Sequence, residues 1–115
     1  MGVEFHITRA QFWAENEDAQ IAAGEWLAYI AGDPELQPQP ENGAYFVRWL
    51  GPSKYSAPWL NWFEGNISTK WPDTALYLKM LKIATALSAK VQDDNGTVYP
   101  DEAEWEFDPS ERIDA

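Results

Sequence analysis

Val3, Phe5 and Ile7 alternate with Glu4, His6 and Thr8, a period-two pattern that predicts a half-buried first strand. Arg9–Gln20 breaks that rhythm: Phe12 and Trp13 are adjacent, and Glu15, Asn16, Glu17 and Asp18 form a polar cluster, so the segment reads as irregular. Trp26, Leu27 and Ile30 then recur at helical spacing within Ala22–Ala31, and Gly32-Asp33-Pro34 closes the run, which predicts a helix of about three turns. Leu36–Gly43, with Pro38, Pro40 and Asn42-Gly43, reads as an extended surface connection. Ala44–Leu50 reads as a strand with Tyr45, Val47 and Trp49 on one face and Phe46, Arg48 and Leu50 on the other. Past the loop signals Gly51-Pro52-Ser53 and Pro58, the segments Trp59–Phe63 and Ile67–Lys70 read as a hairpin turning at Glu64-Gly65-Asn66.

The clearest periodicity comes next. Leu76, Met80, Ile83, Ala84 and Leu87 form one apolar stripe of a second helix, with Pro72 expected at its first position. Asp73 suits the positive end of its dipole, and Lys79, Lys82 and Lys90 lie towards the other end. After Ser88, Asp94-Asn95-Gly96 marks a tight turn in a short hairpin that Pro100 ends. The order strand, helix, strands, helix, hairpin implies an α+β domain, an antiparallel or mixed sheet of about four to six strands with two helices packed on one face. Residues 1–100 are expected to form this single domain and residues 101–115 an acidic C-terminal tail carrying Trp105 and Phe107.

Composition supports one aromatic core. The 115 residues are 45% apolar and include seven Trp, and a chain of this size buries roughly two thirds of its unfolded surface. The absence of cysteine excludes disulfides, thiolate metal sites and a cysteine nucleophile. No stretch nears the roughly 20 apolar residues of a membrane span. Met1–Ala10 carries Glu4 and Arg9 where a secretory leader needs a basic start and an apolar run, so a cytoplasmic location is the expectation.

Charge narrows the partners. A net charge of −11 opposes nucleic acid and anionic membranes. Both ends are acidic, whereas residues 46–90 set Arg48 and five lysines against only Glu64 and Asp73. Some acid can pair internally with that basic middle; the remainder faces water or a partner.

Candidate catalytic chemistry is sparse. His6 is the only imidazole and has no nucleophile motif beside it, so it reads as a surface or edge residue of its strand rather than a general base. Asp93-Asp94-Asn95-Gly96 resembles half of a calcium loop but lacks the spaced ligands and closing Glu, so a turn is the expectation and no metal is assigned. Gly51-Pro52-Ser53-Lys54 matches neither a phosphate loop nor a nucleophile elbow. Glu15, Glu17, Asp18, Glu25 and Glu64 can supply a carboxylate pair only through the fold, which spacing does not reveal. The rings Trp49, Tyr55, Trp59, Trp62, Phe63 and Trp71 read as core or as a partly exposed binding surface. No enzyme activity and no cofactor are expected.

Three further groups of residues carry a resemblance. Glu25-Trp26-Leu27-Ala28-Tyr29-Ile30 with Asp33-Pro34-Glu35-Leu36, Pro58-Trp59-Leu60 with Gly65-Asn66-Ile67, and Ala89 through Gly96 resemble a group of short acidic bacterial proteins, similar in size and acidity to immunity proteins of polymorphic toxin systems. The resemblance covers most of residues 1–100 and implies the fold more firmly than the function. Ala22 departs from the pattern, since Ser or Thr is expected to open the first helix and their loss removes a cap worth about 1 kcal/mol.

Charge and resemblance together lead to the expectation of an acidic binding protein that neutralises a basic protein partner, such as a toxin domain. Glu15, Glu17, Asp18, Asp33, Glu35 and Glu41 are its expected contacts, with Trp13 or Trp105 as an aromatic anchor. The alternative is a small-ligand or housekeeping binding domain with an aromatic pocket near Trp59 and Trp62. An enzyme working through carboxylates and His6 is the third reading, which an ordered cleft joining them would favour.

Overall fold

The computed structural model describes residues 4–99. Val3, the 101–115 segment and its Trp105 lie outside them. The elements run β1 (Glu4–Thr8), α1 (Ala23–Ala31), β2 (Leu36–Pro38), β3 (Phe46–Trp49), β4 (Trp59–Phe63), β5 (Asn66–Lys70), α2 (Thr74–Ala86) and β6 (Lys90–Asp93). They form one six-stranded antiparallel sheet in the order β2-β3-β4-β5-β1-β6. This is the α+β architecture expected from the chain pattern.

Register sorts the side chains into two faces. Phe5, Ile7, Val47, Leu60, Ile67 and Val91 are 0–1% exposed on the helix side, where Phe5 meets Tyr77 of α2 edge to face at 6.2 Å. Each such side chain contributes about 1.5–3 kcal/mol through burial. The opposite face carries the row Phe46, Asn61, Ser68, His6 and Gln92, aligned by Cα pairing across five strands.

Several elements differ from the sequence pattern. Leu36–Pro38, expected to be a connection, is the edge strand β2: Leu36 pairs with Trp49, and an edge position tolerates Pro38. Pro72 is not the first helical residue; Asp73 is the N-cap of α2, accepting from the Leu76 amide at 3.1 Å while Ser53 and the Lys54 amide donate to the same carboxylate. Helix α1 buries Trp26 and Ile30, but Leu27 is exposed. Ala22 gives α1 no side-chain cap; Glu25 instead accepts from the Ala22 amide at 3.0 Å. The final hairpin is reduced on its return arm to a single bridge between Gln92 and Val98. Among the described residues no helix is long and apolar enough to cross a membrane.

The basic middle pairs with the acidic start at one buried point. Lys79 of α2 reaches Asp33 at 2.7 Å and Glu35 at 2.8 Å. Burial opposes charge on Lys79, yet the bonds to Asp33 and Glu35 outweigh it and raise the pKa of the ammonium.

Candidate functional site

The face of the sheet turned away from the helices holds an open pocket of about 390 Å³. Its floor is strand side chains, since Glu4 and His6, Asn66 and Ser68, and Trp59, Asn61 and Phe63 each recur with period two on β1, β5 and β4. One wall is the irregular segment after β1, through Trp13, Ala14 and Asn16. Glu4 and Glu64 line it, and no Lys or Arg does among the described residues. Phe63 is 67% exposed beside it.

Side-chain amides hold the wall in place. Asn16 donates to the Glu64 carbonyl at 2.8 Å and to Asn66 Oδ1 at 3.1 Å, while Asn66 donates to the Trp13 carbonyl at 2.8 Å. Gln92 accepts from the Trp13 amide at 2.9 Å and donates to the Gln11 carbonyl at 2.7 Å. The turn below is equally constrained: Glu64 and Gly65 sit at φ of 48° and 89°, both in the left-handed region that a two-residue hairpin favours. A Cβ on Gly65 would lie 2.6 Å from Gln20.

His6 is 2% exposed, which corrects the expectation of a surface or edge residue: β1 runs inside the sheet between β5 and β6. Its ring stacks on Trp13 at 3.8 Å with 9° between planes. Nδ1 lies 2.8 Å from Ser68 Oγ and Nε2 3.0 Å from Asp94 Oδ1, so an acid, an imidazole and a hydroxyl form one chain. With the ring proton on Nε2 both nitrogens are satisfied, since Nε2–H donates to the Asp94 carboxylate and the Ser68 hydroxyl donates to Nδ1. The Glu4 amide donates to Asp94 Oδ2 at 3.1 Å, and the Trp13 indole donates to the Asp94 carbonyl at 3.1 Å. A nucleophilic serine needs such a base and orienting acid, together with donors for an oxyanion. Ser68 sits in the middle of β5, paired on both sides, where backbone amides serve the ladder rather than an oxyanion nest.

The residues singled out from sequence separate into three groups. Trp13 is half-buried as a wall of the pocket, with Glu15, Glu17 and Asp18 exposed on the same segment. Glu41 is exposed near β2, remote in sequence and strand order from this pocket. Asp33 and Glu35, expected as partner contacts, both bond to Lys79, because the charge of that buried ammonium requires partners. Burial alone would raise the Asp33 pKa, but hydrogen bonds from Lys79 and the Glu35 amide hold it below the ordinary value. Glu35 is lowered too, first by the Lys79 bond and then by the Trp49 indole. The aromatic run divides between faces: Trp59 lines the pocket, whereas Trp62 packs against the core and donates to the Ile21 carbonyl at 2.8 Å. Ser68 and Asn61 were not singled out, although their alternation with Ile67 and Leu60 places them on the polar face.

Comparison with protein-family models, with characterised proteins and with solved structures finds no match for this chain.

Proposed function

We propose that this is a non-catalytic, acidic binding protein that neutralises a basic protein partner in the cytoplasm of a bacterial cell, in the manner of a toxin-immunity protein. The observation that carries the reading is a pocket lined by Trp13, Trp59 and Phe63 together with Glu4 and Glu64, and by no Lys or Arg among the described residues. Aromatic faces and carboxylates both attract cations, so the pocket suits a lysine or arginine side chain. Glu15, Glu17 and Asp18 extend the negative field beside it, and a net charge of −11 accelerates encounter with a basic surface. Phe63 supplies the apolar anchor that slows release.

The test is capture of the partner from the native host with the tagged full chain, followed by affinity measurement and coexpression with the partner. A basic partner, binding that weakens as salt rises, and relief of its toxicity on coexpression are expected. Phe63→Ser and Trp59→Ala should each weaken binding by at least about 30-fold, as central aromatic anchors do. Phe63→Ser should leave stability within about 0.5 kcal/mol, because the ring is largely outside the core. A partner bound equally well by both variants would remove the basis of the reading.

A small cationic ligand is the second reading, because the pocket volume of about 390 Å³ falls within the range of small-molecule sites. Native mass spectrometry of the purified chain separates the two: a bound small molecule lost in Trp59→Ala supports the second.

A further inference from the structure

We infer that Glu4, His6 and Asp94 form a binding site for one divalent first-row transition ion of the zinc class. One ligand atom from each lies within 4.8 Å of the others. His6 Nε2 and Asp94 Oδ1 are 3.0 Å apart, close to the roughly 3.3 Å edge of a tetrahedron with metal bonds near 2.0 Å. The ion would take the place of the hydrogen bond between those two atoms. Two carboxylates and a neutral imidazole supply two negative charges against a divalent cation, and one nitrogen with two oxygens matches the borderline character of zinc.

The surroundings are those of a metal-binding histidine. When Nε2 is a ligand the ring proton resides on Nδ1, and Ser68 Oγ stands 2.8 Å away to accept it. The Trp13 stack fixes the plane of the ring. Asp94 is oriented through its other oxygen by the Glu4 amide and through its carbonyl by the Trp13 indole. Glu4 and His6 are two residues apart on β1, so they share a face, and both line the pocket. A fourth coordination position would therefore open into the pocket, as in zinc sites with three protein ligands.

The single histidine makes the test unambiguous. The full chain, stripped with chelator and held in excess magnesium to occupy the many surface carboxylates, is titrated with zinc while the ring nitrogens of His6 are followed by NMR. The expected result is saturation at one equivalent, a metal-bound shift at Nε2 and a proton fixed on Nδ1. Asp94→Asn and Glu4→Gln keep shape and should each weaken binding at least about 10-fold, and Ser68→Ala about 10-fold through loss of ring orientation. Zinc that leaves the His6 nitrogens unmoved, or binds Asp94→Asn as tightly as the parent chain, overturns the site. The assay needs no protein partner, so its outcome is independent of the Phe63 and Trp59 tests above.

Discussion

Leu60 and Asn61 are neighbours on β4 yet meet opposite surroundings. Leu60 is fully buried beneath the helices, whereas Asn61 faces a pocket open to solvent. The same alternation separates Ile67 from Ser68 and Phe5 from His6. One strand register thus serves two purposes: the helix side secures the fold through apolar burial, and the other side arranges polar and aromatic groups through hydrogen bonds and ring stacking. The difference should be measurable. Leu60→Ala is expected to cost about 2–5 kcal/mol, through lost burial and the cavity left behind. Asn61→Ala should stay within about 0.5 kcal/mol, as substitutions away from packed features do. Urea denaturation of both variants checks the pair, and comparable losses would mean that the pocket floor is part of the core.

The two faces also differed in how far they could be read from the chain. The apolar face follows from local periodicity: Phe5 with Ile7, Leu76 with Met80 and Ile83, and the paired arms of β4 and β5 all occupy the places their spacing indicates. Pro38 concealed β2, since a proline argues against a strand unless the strand lies at an edge. The pocket was hidden for a different reason. His6, Ser68 and Asp94 are brought together because β1 inserts between β5 and β6, a long-range choice of strand order that no local pattern encodes. Asp33 and Glu35 illustrate the same limit, as their role depends on Lys79 44 or more residues away. What alternation did disclose was that His6 opposes the apolar positions Phe5 and Ile7 of its strand.

The exposed-side wall offers a sharper version of the comparison, because it is held by amide hydrogen bonds rather than by apolar burial. Gly65→Ala acts on it directly. Its φ of 89° disfavours any side chain, and the added carbon would sit 2.6 Å from Gln20 and 2.8 Å from Asn16, the residue that ties the wall to β5. A loss of about 1–3 kcal/mol is expected from the strained backbone. Hydrogen exchange should quicken at the Trp13 amide, which Gln92 accepts, before it does in α2. Uniform acceleration across both faces would show that the wall and the core unfold as one unit.

Charge supplies the smallest and most selective contrast. On the helix side, Arg9 clamps Glu25 through two bonds of 2.8 and 2.7 Å and also donates to the Leu87 carbonyl, joining the start of α1 to the end of α2. The Arg9 bond first, and the Ala22 amide second, lower the Glu25 pKa from 4.5 to about 2. A carboxyl lowered in this way takes up its proton at a lower pH in the folded chain than in the unfolded one. Its stabilising contribution is therefore complete above about 4.5 and is lost as the pH falls towards about 2. Asp33 and Glu35, also lowered, act in the same direction below the ordinary carboxylate range. Glu25→Gln should thus be less stable than the parent chain at neutral pH by a small amount, given how exposed the pair is, and the difference should shrink on acidification. Urea midpoints measured at intervals from neutral pH down through that window decide it. A Glu25→Gln deficit that stays constant as the pH falls would mean that the clamp acts through shape rather than charge, and that the helix side owes its cohesion to burial alone.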